Sequence, residues 1–262
     1  MTRKCFFVDE VDLDRGQVTF TGPTAHHMGR VLRLSIGDVV ELRDGRGGAW
    51  QGSIEAFEQG RVSVRLMGSG EVRTESPLDL TLVLAFSRSD RMEWCLRQAT
   101  EIGVRHFVAF RSERSQYGLV GKEAATRQKR WWKIAREAMC QCGRLRAPEV
   151  HIYQDVDSFL SHAAGWSHGS REVLKLVACE EGNRYSLLDL WSGTPTCGGL
   201  HAVVGPEGGW ASKDLDRFSL AGYQPVYLGP RVLRMETAAT ALLGAVQLLW
   251  GDFHIAREGM KT

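Results

Sequence analysis

Two short runs in this 262-residue chain set glycines and prolines beside ionisable side chains. Gly205-Pro206-Glu207-Gly208-Gly209 closes the apolar run 201–204. Leu228-Gly229-Pro230-Arg231-Val232-Leu233-Arg234-Met235-Glu236-Thr237 closes a second one. Glycine has no Cβ, so such turns let a ligand approach the main chain closely. Free amides beside apolar side chains suit an adenine and a ribose. In an open parallel sheet, ligands bind at the carboxyl ends of the strands, where both turns fall. Neither G-x-G-x-x-G nor G-x-x-x-x-G-K-[ST] occurs in the chain, which argues against a dinucleotide oxidoreductase and a P-loop NTPase.

Other chemistries find little support. The eight histidines do not read as a metal set: His26 and His27 are adjacent, and no H-E-x-x-H occurs. Cys140-x-Cys142 lacks a second pair, so no zinc, and no metal at all, is expected. Hydrolase chemistry lacks a Ser-His-Asp context. Six cysteines without C-x-x-C spacing, and no apolar leader, predict reduced thiols in a cytoplasmic protein. No run of eighteen apolar residues predicts a membrane span. The net charge is +2 but unevenly spread: residues 76–150 carry 14 Lys and Arg against 8 Asp and Glu. A basic middle in a nearly neutral chain predicts a localised polyanion contact.

The elements that must position these residues fall into two parts. Residues 1–75 are β-rich, with strands expected at 16–20, 38–44, 48–57 and 61–68, a turn at Asp44-Gly45, and a short helix capped by Thr24. So many short strands imply a small barrel or sandwich, and the polar run 68–77 reads as its linker. Beyond it the rhythm becomes β-α-β, with a strand at 78–86, a helix at 90–103 burying Met92, Leu96 and Ala99, and a strand at 104–110. A long helix follows at about 121–141, then strands near 173–179, 201–204 and 225–228. This predicts a mainly parallel sheet covered by helices over 76–262. The final helix, 236–250, is apolar on nearly every face and must be buried in a core or against another subunit.

The runs VVGPEGGW, YLGPRVLRMETAATAL, RMEWCLRQATEIGV and WWKIAREAMCQCGRLRAPEV, together with HHMGRVLRL, give the chain a specific resemblance. Over essentially its whole length it resembles the ribosomal small-subunit methyltransferase E family, the 16S rRNA (uracil(1498)-N3)-methyltransferases of the SPOUT superfamily. That resemblance implies a PUA-like β-barrel for RNA contact, followed by a trefoil-knotted, mainly parallel α/β domain with helices on both faces. It also implies a homodimer packed through the knotted region, with S-adenosyl-L-methionine held in the knot loops. Leu228, Gly229, Val232 and Leu233 would then form the adenine side, with Gly205, Pro206, Glu207, Gly208 and Gly209 as another wall. Cys179 and Glu180 would close the site, and Thr237 would border it. Gln98 departs from the lysine that many relatives carry, which weakens any role for positive charge there.

Methylating a uracil nitrogen leaves the protein to orient the reactants and to manage one proton. Within the resemblance, Arg234 is the candidate to stabilise charge on the carbonyl oxygens flanking N3. Glu207 or Glu236 would steer it, and Glu207 is either a general base or a tie for its own turn. RNA phosphates would meet Arg3, Arg30, Arg33, Arg111, Arg114, Arg127, Lys129, Arg130, Arg144 and Arg146. Of Trp131 and Trp132, helix periodicity places at least one in the core. A knotted-fold ribose 2′-O-methyltransferase and a non-catalytic RNA-binding assembly factor are the alternatives; intact glycines in both loops argue against the second.

Overall fold

Alternating β-branched residues in the first part of the chain build a five-stranded sheet. The computed structural model describes residues 4–9, 15–69, 74–118, 121–163, 173–180 and 185–254. They form two units, Met1–Glu75 with Arg136–Ala147, and Ser76–Ala135 with Pro148–Thr262.

In the first unit, strands β1 (Cys5–Phe7), β2 (Gln17–Phe20), β3 (Val39–Arg43), β4 (Ala49–Glu58) and β5 (Arg61–Ser69) pair in the order β1-β3-β4-β5-β2. Two register shifts in the β4–β5 ladder curl the sheet around a core that includes Phe6, Phe20, Met28, Val40, Leu42, Ile54 and Val64. Helix α1 (Gly22–His26) runs into a π-helical turn, His27–Val31. Thr24 is inside α1 and does not cap it: Thr21 holds the cap position and Pro23 occupies the first turn, where its missing N–H costs nothing. Asp44 Oδ1 closes the β3–β4 turn by accepting from the amides of Arg46 and Gly48, each at 2.8 Å.

Residues 136–147 are bound into this unit by named contacts. The Arg136 guanidinium lies 4.0 Å over the Phe7 ring. Arg43, fully buried, donates to the Arg144 carbonyl at 2.8 Å. Arg144 itself donates twice to Glu75 Oε2, at 2.7 and 3.2 Å. Burial opposes the charged form of Glu75, but Arg144 and the amides of Leu145 and Arg146 hold its carboxyl below the ordinary range.

The second unit carries a wholly parallel sheet in the order β11-β9-β10-β6-β7-β8. Its strands are β6 (Asp79–Ala85), β7 (His106–Phe110), β8 (Glu149–Tyr153), β9 (Val173–Ala178), β10 (Gly199–Val204) and β11 (Gln224–Val226). Helices α2 (Ser89–Ile102), α3 (Gly121–Cys142), α4 (Val156–Ala163), α5 (Leu187–Gly193), α6 (Ser212–Leu220) and α7 (Met235–Leu249) connect and follow them. Sequence periodicity marks neither β8 nor α4 to α6. Met92, Leu96 and Ala99 of α2 are buried as expected, and Gly103 (φ 101°) ends that helix in the left-handed conformation.

Helices cover both faces of this sheet. On one face Val83, Ala85, Val108, Phe110, Val177 and Val203 pack under α4 and α6 through Phe159 and Phe218. On the other face α2, α3 and α7 gather, with Trp131 of α3 set edge-on to Phe107 at 5.6 Å. Trp131 is therefore core. The α4–α6 face is apolar only in its carboxyl-terminal half. Strand register sets Lys175, His201, Thr81, His106 and Glu149 side by side across five strands in the other half. Helix α7 buries Met235, Ala238, Ala239, Leu242, Leu243 and Val246 but leaves Ala241 and Leu248 exposed. Among the described residues, no helix is long and apolar enough to cross a membrane.

Candidate active site

At the carboxyl ends of β9, β10 and β11 the three following loops enclose a cavity of about 800 Å³, within the range typical of small-molecule and cofactor sites. From the loop after β9 come Cys179 and Glu180. The loop after β10 supplies Gly205, Pro206, Glu207, Gly208, Gly209 and Trp210. The segment after β11 supplies Leu228, Gly229, Arg231, Val232, Leu233 and Arg234. Residues separated by more than fifty positions thus share one wall because parallel strands end on the same side.

Two glycines are fixed by local geometry. A Cβ on Gly205 would sit 2.8 Å from the Trp210 indole. That indole stacks at 7° on Phe110 and donates from Nε1 to the Ala178 carbonyl at 2.8 Å, so it ties the β10 loop to the end of β9 and cannot move aside cheaply. Gly229 adopts φ 99°, which a side chain would strain.

The ionisable residues take distinct places. Arg234 caps α7 by position, with extended backbone, and lines the cavity with its side chain exposed. Glu207 also lines it, and its Oε1 accepts from Ser87 Oγ and, at 2.7 Å, from Arg91 Nη1. These bonds run to the segment after β6 and the first turn of α2, not to the amides of its own turn. Nothing in the sequence alone singles out Arg91 and Ser87. A cation opposite the GPEGG turn needs the β6–β10 pairing to be known, although its place in the first turn of α2 was a signal. Glu236 does not line the cavity. It lies near Cys95 of α2, whose buried thiol is pushed up to about 12 by desolvation, with the Glu236 and Glu207 charges adding to it. Cys95 therefore stays a thiol at neutral pH and is no nucleophile. Thr237 is exposed and off the cavity wall.

Of the basic residues, Arg3 lies outside the described residues. Arg30, Arg33 and Arg146 are exposed on the first unit, and Arg111, Arg114 and Lys129 on the second. Arg114 borders the cavity and donates to the Gly208 carbonyl at 3.3 Å. Arg130 is held by Glu93 through two bonds, at 2.6 and 2.9 Å, and Arg127 by Ser89. Arg144 is a correction: its side chain is 4% exposed and committed to Glu75, so it cannot reach a phosphate. Counting basic residues along the chain does not see which of them the fold buries.

The metal expectation meets a different arrangement. His106, Glu149 and His151 bring three ligand atoms within 4.8 Å of one another, at the end of the sheet opposite the cavity.

Comparison with known proteins agrees with the cavity. Residues 74–247 match the model of an RNA methyltransferase domain, and residues 20–67 that of an RNA methyltransferase PUA domain. The chain is 32% identical over 254 residues to a ribosomal RNA small subunit methyltransferase E of Mycobacterium tuberculosis, covering 95% of this chain and 93% of that protein. It is 29% identical over 242 residues to the one of Bacillus subtilis, covering 89% and 92%. The fold is similar to the crystal structure of a ribosomal RNA small subunit methyltransferase E from Neisseria gonorrhoeae bound to S-adenosyl methionine. That match has a TM-score of 0.83 and 32% identity, and covers 96% of this chain and 99% of the other.

Proposed function

The chain belongs to the RNA methyltransferase family that includes the ribosomal RNA small subunit methyltransferases E, and from that premise we propose that it methylates N3 of uridine 1498 in 16S rRNA of the small ribosomal subunit, with S-adenosyl-L-methionine as donor. The observation that carries this reading is the cavity where three strand ends bring Arg234, Glu207 and the glycine-rich turns together. The residues fit the donor: the volume suits a cofactor, and Gly205 and Gly229 keep the main chain open to a ligand.

When bound, S-adenosylmethionine supplies an already activated methyl group, so the transfer step needs no metal. What remains for the protein is to orient the uracil, exclude water and manage the N3 proton. Arg234 stabilises the charge that spreads onto the two carbonyl oxygens, because a guanidinium stays protonated and offers several donors. Glu207 acts as a positioning residue. The lone pairs of its Oε1 are occupied by Ser87 and Arg91, and it clamps the GPEGG turn to the start of α2.

Phosphates are met by Arg30, Arg33 and Arg146 on the first unit and by Arg111, Arg114 and Lys129 on the second, which predicts steep salt dependence. The β-rich part, with its PUA-type match, is the RNA-binding domain, and the second unit, residues 76–135 with 148–262, holds the donor. The knotted path and a homodimer belong to the same proposal. The exposed side of α7, with Leu248 at 56%, is the apolar surface that a second copy would cover. The reaction takes place in the cytoplasm.

The test incubates small subunits from cells lacking this modification with the protein and methyl-labelled donor, then identifies the labelled nucleoside by mass spectrometry. Label in 3-methyluridine is expected. Label in a ribose-methylated nucleoside would move the acceptor to the sugar, and donor binding without any labelled RNA would overturn the acceptor assignment.

A further inference from the structure

The amino-terminal end of the parallel sheet carries side chains that methyl transfer does not use. His106 opens β7, Glu149 opens β8, and His151 follows two residues later. Register pairs His106 with Glu149, and the two-residue period puts His151 on the same face. His106 Nδ1 and His151 Nε2 each lie 3.6 Å from the same oxygen, Glu149 Oε2. That separation is long for a hydrogen bond. It is close to the edge of a tetrahedron whose corners stand about 2.0–2.2 Å from a central zinc, an edge of roughly 3.3–3.6 Å.

We propose that His106, Glu149 and His151 bind one divalent transition-metal ion, zinc in the first instance, in a site separate from the methyl-transfer cavity. Two imidazoles and a carboxylate form a borderline donor set suited to zinc over magnesium or calcium, which prefer oxygen alone. Asp79 places a further carboxylate beside the site: its Oδ1 stands 3.6 Å from His106 Nε2, the ring nitrogen turned away from Glu149. At that separation it acts on the ring through its charge rather than through a hydrogen bond. Asp79 Oδ2 is in turn 3.7 Å from Arg105 Nη1. The histidines are half-buried, whereas Glu149 is 64% exposed, so the fourth position opens to water. Because β8 is the edge strand, the ion would join it to β7 through side chains as well as main chain.

The experiment uses the full chain after chelator treatment, titrated with Zn²⁺ in a calorimeter and with Co²⁺ in the visible spectrum. One site per chain is expected, with tetrahedral cobalt bands and no thiolate-to-metal charge transfer. Glu149→Gln and His151→Gln should each weaken zinc binding at least tenfold and leave methyl transfer unchanged. Asp79→Asn, which removes only a neighbouring charge, should weaken it by less than about tenfold. His26→Gln with His27→Gln should leave binding intact. No binding at millimolar zinc, thiolate bands in the cobalt spectrum, or unchanged affinity in folded Glu149→Gln would overturn the proposal.

Discussion

The two ends of the parallel sheet hold opposite kinds of site. At the carboxyl end, contiguous loops supply backbone, glycines and an indole, and the ionisable groups stand at the rim of a cavity. At the amino end, among the described residues, the ligand atoms come from strand side chains. Side chains from β6, β7 and β8 meet on one face through register alone. The first arrangement suits a large organic ligand that needs shape. The second suits something no bigger than an ion. One set of strands therefore offers two recognition chemistries, because loops lengthen freely at strand ends while pleated faces hold atoms at fixed spacings.

The largest effect that would break or sharpen this contrast is expected at Arg234. Arg234→Ala should lower single-turnover methyl transfer at saturating donor by about 100- to 1,000-fold, with donor affinity kept within a few-fold. The opposite pattern, lost affinity with intact turnover, would make Arg234 a binding residue and the cavity purely a matter of shape. Next comes Gly205→Val, which forces atoms against Trp210. Calorimetry should show donor affinity reduced by more than about tenfold, as expected where a pocket's shape is lost, in a protein whose zinc binding is unaltered. Glu207→Gln should be milder. If Glu207 positions the turn, turnover falls by less than about tenfold and its pH profile keeps its shape. A loss of about 100-fold or more would restore it as general base. The smallest effect concerns the other end: without metal, Glu149→Gln should change the stability of the protein by no more than about 1 kcal/mol in chemical denaturation, the scale of an exposed ion pair.

The same contrast decides what could be read from sequence. The cavity walls were legible because each is a local run: GPEGG and LGPRVLR announce their turns by composition, and strand-end geometry does the rest. The hydrophobic period exposed most strands and the long helices for the same reason. The amino-end cluster draws on residues 79, 106, 149 and 151, and nothing local joins them. Only Glu149-x-His151, two ligand types at strand spacing, hinted at it, and β8 itself had gone unmarked. Arg144 failed in another way. Its charge was visible, but its burial against Glu75 depends on residues 136–147 joining the first unit, and helix α3 runs through Arg136 without a break in pattern.

That last division has a consequence for how the protein is made. The first unit is written in two stretches, and the second is translated after the whole of β6, α2 and β7. At about 5–20 residues per second, the ribosome-bound curled sheet waits several seconds for Arg136, Arg144 and the chain that joins its β3–β4 turn. Until then Glu75 lacks the Arg144 guanidinium that neutralises it, and Arg43, already paired with Glu41, lacks the Arg144 carbonyl. A fragment cut at the polar linker would meet that shortage permanently, so a stable version of the first unit is expected to need residues 136–147 returned to it, by fusion or circular permutation.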